Sequence, residues 1–80
     1  MGMVKPIING HRAVRFFFEE QNRQDISLVE LGKRAGMTGS TLASWRLRSM
    51  PRVDYLEAAL NCLGYRLAVV PLEEENETRR

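Results

Sequence analysis

Two helix-start signals, Ser27 and Thr38, bracket a single glycine, Gly36, and this arrangement limits the middle of the chain more than any other feature. Ser27-Leu28-Val29-Glu30 has the capping-box pattern, in which the serine covers an orphan amide and the glutamate reaches back. It opens a helix to about Ala35. Gly36 stands where the chain must leave that helix with positive φ, which glycine does at no steric cost. Thr38 then caps a further helix from Gly39 to about Arg48. There is room only for two short helices and a tight turn. A close crossing needs a small residue, supplied by Gly32, and an apolar wedge, supplied by Leu31, Ala35, Met37, Leu42 and Trp45. With Leu42 and Trp45 turned inward, the opposite face carries the small residues Gly39, Ser40, Ala43 and Ser44, with Arg46 near its edge.

The flanking segments supply the rest of a small helical domain. Asn9 is placed to cap a first helix over roughly Gly10 to Arg23, where Val14, Phe17, Phe18 and Gln21 keep helical spacing and Phe16 widens the apolar face. Pro51 breaks the chain, and Val53, Leu56, Leu60 and Leu63 form the stripe of a fourth helix ended by Gly64. Tyr65 to Val70 then switches to a period of two with β-branched residues, which predicts a strand closed by Pro71. The expected organisation is an arm or short strand over 1–8, a helical domain over 9–64, a strand segment over 65–71 and an acidic, solvated tail over 72–80.

Eighty residues suffice for one small domain, and the apolar (44%) and charged (28%) fractions are those of a globular chain. One cysteine, Cys62, and one histidine, His11, give neither an internal disulfide nor a metal-ligand set, so no metal and no cofactor is expected. No nucleophile, base and orienting group combine, and the chain is not expected to be an enzyme. Apolar runs are far shorter than the roughly 20 residues that span a bilayer. No leader or myristoylation pattern opens the chain, and a reduced cytoplasmic protein is the expectation. The formal net charge is +2 with a pI near 9.1. Charge is uneven by region: three arginines (Arg46, Arg48, Arg52) and no acid lie between Thr38 and Arg52, whereas Glu73, Glu74, Glu75 and Glu77 crowd the end. A basic segment on a mixed surface is what a polyanion-binding face requires, although a solvated arginine-rich surface has the same composition.

Two helices, a tight turn and a projecting second helix make a helix-turn-helix, whose second helix lies in the DNA major groove. From about Arg12 to Pro71 the chain resembles the Cro/C1-type (XRE-like) helix-turn-helix family of phage and bacterial repressors. The resemblance rests on Leu31-Gly32-Lys33-Arg34-Ala35-Gly36-Met37-Thr38 and on the closing segment from Pro51 to Gly64. The ending Gly64-Tyr65-Arg66-Leu67-Ala68-Val69-Val70-Pro71 is similar to HipB-like antitoxins, which carry a terminal strand. It implies a mainly α, four-to-five-helix, lambda-repressor-like domain with a short C-terminal β-strand paired across a dimer. It implies that base reading falls on Gly39, Ser40 and Ser44. Sugar-phosphate contacts fall on Thr38 and Thr41, on Arg48 and Arg52, and on the helix start at Ser27 and Leu28. Leu28 and Gly39 stand where the family often has polar residues, and the loop from Arg48 to Pro51 is short. Of the arginines, Arg46 is the one best placed to touch a base; an ion pair with Glu30 or Asp54 is its structural alternative.

A lone edge strand exposes unpaired amides, so Tyr65, Leu67, Val69 and Val70 are expected to find a partner strand. A second copy around a twofold gives a homodimer; the Val4–Ile8 arm gives a pairing within one chain. Dimerisation would set two recognition helices about 34 Å apart and match an inverted-repeat operator. The expected function is a sequence-specific DNA-binding regulator, a repressor, of bacterial or phage origin. The alternative is an antitoxin-like or adaptor protein whose main partner is another protein such as a toxin.

Overall fold

Four α-helices and their connections make up residues 7–71, and the described residues, 7–72 of a computed structural model, end at Leu72. The arm before residue 7 and the acidic tail from residue 73 lie outside the described residues. The helices are α1 (Arg12–Gln24), α2 (Leu28–Ala35), α3 (Gly39–Trp45) and α4 (Val53–Cys62). The mainly helical class follows from the sequence.

Helices α1, α2 and α3 begin at a residue whose side chain satisfies an orphan amide, whereas Arg52 at the start of α4 makes no such bond. Ser27 accepts from the Glu30 amide at 3.1 Å and Thr38 from the Thr41 amide at 3.1 Å. The reciprocal half of the expected capping box is not made. The Glu30 carboxylate turns instead to Arg34, four residues on, at 3.0 Å. Helix α1 starts later than expected, because His11 is its cap, its Nδ1 accepting from the Ala13 amide at 3.1 Å. Asn9 is engaged elsewhere. Helix α3 is also shorter than expected, ending at Trp45 and continuing as turns through Arg48.

Gly36 ends α2 at φ 80°, and Gly64 follows α4 at φ 94°, both in the left-handed region that glycine enters without strain. At Gly32 the requirement is space. A Cβ there would collide with the carbonyl oxygen of Met37, whose own amide donates to the Gly32 carbonyl at 2.7 Å. The turn from Gly36 to Thr38 is therefore folded directly onto α2.

The core joins all four helices: Val14, Phe17 and Phe18 of α1, Leu31 of α2, Leu42 and Trp45 of α3, and Leu56, Ala59 and Leu60 of α4, with Leu63 beyond it. Full burial of each large side chain contributes roughly 1.5–3 kcal/mol. Phe17 meets Phe18 and Trp45 edge-on, at centroid distances of 4.9 and 5.8 Å. Val53, expected on the buried stripe of α4, is exposed. Cys62 is a free, half-buried thiol packed against the core.

The expected strand from Tyr65 to Val70 does not form in the single chain; no strand is present among the described residues. Its start is committed elsewhere. The Tyr65 amide donates to the Leu60 carbonyl, its ring packs edge-on against Phe16 at 4.8 Å, and Leu67 rests on the core. The described end of the arm is no partner either, because the amides of Ile8 and Asn9 both donate to the Arg46 carbonyl, at 2.7 and 3.0 Å.

Candidate functional site

The outward side of α3 and the turn after it bring together most of the residues singled out in the sequence. Thr38 and Ser40 are exposed, and Thr41 and Ser44 are half-buried. The Thr38 hydroxyl lies 3.2 Å from that of Ser40 and 3.0 Å from that of Thr41, so the start of α3 carries a joined set of hydroxyls. The Ser44 hydroxyl donates to the Thr41 carbonyl at 2.7 Å. That bond uses its only proton and leaves the oxygen able to accept outward.

Gly39, expected to read bases, is half-buried and has no side chain to present. A Cβ built on it would point at Val29 of α2, 3.2 Å from Cγ2, so its place in the fold is the close seam between α2 and α3. Leu28 is likewise turned in, packing against the core, while Ser27 is exposed with its oxygen used as a cap. Ser27 accepts in that cap, so its own hydroxyl proton stays available to a ligand beside the backbone amides of this corner.

The arginines divide. Arg46, expected to be the best base reader, has its guanidinium carbon 5.3 Å from the centroid of the Phe18 ring and covers the core. Its expected structural alternative does not hold either: Glu30 pairs with Arg34, and Asp54 with Arg52 at 3.2 Å. The cation finds more stabilisation over a buried ring's negative face than in an exposed carboxylate. Arg52 also lies over Tyr55 at 5.0 Å, so its charge is shared with Asp54 before any ligand arrives. Arg48 is exposed and makes no ion pair among the described residues.

The sequence reading missed two contributors. Leu47 is 51% exposed on the same side as Ser44, and Ile8, delivered by the arm, is exposed beside it. With Arg48 and Ser49 these residues line an open groove of about 440 Å³ that no carboxylate among the described residues borders. Asn9 holds the arm in place. It is buried, its amide nitrogen donates to the Ser49 carbonyl at 3.2 Å, and its oxygen accepts from the His11 amide at 3.0 Å. The exposed polar residue type gave no signal of this role, since the partner lies forty positions away in the chain.

The residues expected to pair across a dimer separate. Tyr65 and Leu67 pack on the chain's own helices, whereas Val69 and Val70 are exposed. Phe16, Leu60, Tyr65 and Leu67 line a second open groove, of about 510 Å³, edged by Arg12, Glu19 and Arg66. Among the described residues no three His, Cys, Asp or Glu side chains gather as metal ligands, and no helix is long and apolar enough to cross a membrane. No protein-family model, curated protein or solved structure matches the chain.

Proposed function

We propose that the chain is a sequence-specific, double-stranded-DNA-binding transcriptional regulator of the helix-turn-helix kind, a repressor that enters the major groove with α3. The observation that carries this reading is the composition of one continuous stretch of chain, from α2 through the turn after α3. From Leu31 to Val53 there is no acid, and among the described residues Arg34 and Arg52 are the cations of that span held by carboxylates. Lys33 and Arg48 remain exposed without ion pairs among the described residues, around a helix whose outward side chains are short hydroxyls. Phosphates attract such cations, and short side chains let a helix approach base edges closely. The contact of Gly32 with the Met37 carbonyl supports the reading from the packing side, because it holds α3 tightly against α2 without using α3's outer face.

A homodimer completes the proposal. Val69 and Val70 carry β-branched side chains into solvent beyond the Phe16–Tyr65 contact, and an exposed segment of this kind is stabilised by pairing with its twofold copy. The same exposed segment favours the second reading, an antitoxin-like protein that uses it to hold a protein partner.

Selection of bound sites from random duplexes, followed by titration at several salt concentrations, tests the proposal. It calls for an inverted-repeat site with half-sites about 34 Å apart and steep loss of affinity with salt. Ser44→Glu and Arg48→Ala should each weaken binding while leaving the unfolding transition in place. Unchanged affinity in both variants, or salt-indifferent binding to a protein alone, refutes it.

A further inference from the structure

We infer, on the basis of the duplex-DNA reading above, that Ser44 and Leu47 act as one unit that recognises an A·T base pair. The Ser44 proton is held by the Thr41 carbonyl at 2.7 Å, so this hydroxyl meets a base edge only as an acceptor. In the major groove the base-edge donors are the adenine N6 amino group and the cytosine N4 amino group. Leu47 decides between them. It stands one helical turn on, its amide donating to the Ser44 carbonyl at 3.2 Å, and its half-exposed side chain lines the same groove as Ser44. Beside adenine it meets the thymine 5-methyl group, an apolar surface that gains from being covered. Beside cytosine it covers guanine N7 and O6, two acceptors for which neither side chain has a free proton. Ile8 forms the apolar wall next to Leu47, and Arg48, unpaired on the rim, supplies the charge for the adjoining phosphate. The occupant that matches one acceptor, one apolar wall and one cation, with no carboxylate lining the groove among the described residues, is the edge of an A·T pair on a duplex.

The test uses the full chain and a duplex chosen by random-site selection. Each thymine in a half-site is replaced in turn by deoxyuridine, which removes only the methyl group. The partner adenine is replaced by purine deoxyriboside, which removes only the amino group. At one position per half-site, loss of the methyl should weaken binding about fourfold. Leu47→Ala should bind the thymine and uracil duplexes equally. Ser44→Ala should lose the preference for adenine over purine at the same pair while still sensing the methyl. Uracil tolerated at every position, with salt-dependent duplex binding intact, overturns the assignment and leaves the DNA-binding reading standing. Methyl sensing that persists in Leu47→Ala also overturns it. Absence of any salt-dependent duplex binding removes the underlying reading and this inference with it.

Discussion

Gly32 and Met37 are in direct backbone contact: the Met37 amide donates to the Gly32 carbonyl at 2.7 Å, and the Met37 carbonyl oxygen occupies the space a Gly32 side chain would need. Gly32→Ala therefore forces the turn away from α2. Overpacking of this kind costs about 1–3 kcal/mol. Gly36→Ala is the control, because space is open around Gly36 and only its φ of 80° penalises a side chain. That penalty is roughly 1–2 kcal/mol. Denaturant unfolding of both variants should rank Gly32→Ala as the more destabilised and the weaker in duplex binding; the reverse order would show that the turn yields easily.

Asn9 ties the arm to the turn after α3 through the Ser49 carbonyl. Asn9→Ala leaves that carbonyl and the His11 amide without their side-chain partners, at a cost of about 1–3 kcal/mol. The readout specific to this tie is amide exchange at Ile8, whose N–H donates to the Arg46 carbonyl. Exchange there should accelerate in the variant more than exchange in α4.

Arg46 and Arg48 are two positions apart and should behave as different residues. Arg46→Ala uncovers the Phe18 ring and is expected to lower stability by roughly 0.5–1 kcal/mol. Its effect on the salt dependence of duplex binding should be small. Arg48→Ala should leave stability unchanged and reduce the salt slope by about one. An Arg46→Ala variant that is fully stable but loses specificity would return Arg46 to the base-reading set.

Glu20 gives the protein an acid-sensitive joint. Its carboxylate accepts from Arg23 at 2.7 Å and from Gln24 at 3.3 Å, and Gln24 also reaches the Leu63 carbonyl at 3.0 Å. The Arg23 bonds, helped by Gln24 and Tyr65, hold Glu20 down from the ordinary 4.5 to about 2. A carboxyl group depressed on folding stabilises the native state above its unfolded value, and that contribution is lost as pH falls from about 4.5 through about 2. Thermal unfolding followed from pH 6 to pH 2 should decline more gently over that window in Glu20→Gln than in the parent. Identical slopes would mean that other carboxyl groups set the acid limit.

Much of the local architecture is legible in the sequence alone. Ser27 and Thr38 start their helices as expected, Gly36 turns the chain left-handed, and Leu42 and Trp45 point inward. These signals depend on residues within a turn of one another, so composition and spacing carry them. The individual assignments on the candidate site fared less evenly. Nothing near Arg46 in sequence announces Phe18, nothing near Gly39 announces how closely Val29 approaches, and Asn9 looks like an ordinary helix cap until Ser49 is found beside it.

The sequence by itself determined the mainly helical class, the starts of α2 and α3 and the turn between them, because caps, glycine dihedrals and apolar periodicity act over a few residues of continuous chain. Only the tertiary structure decided which polar groups were left to meet a ligand. Whether an arginine lies over a ring, a serine spends its proton or a leucine stays in solvent depends on which distant surfaces come together, and nearest-neighbour chemistry does not encode that. The C-terminal segment shows the same division. Its alternating residues favour an extended chain, but a strand exists only where a second row of amides and carbonyls is at hand, and within the single chain those of Ile8 and Asn9 are already turned to Arg46.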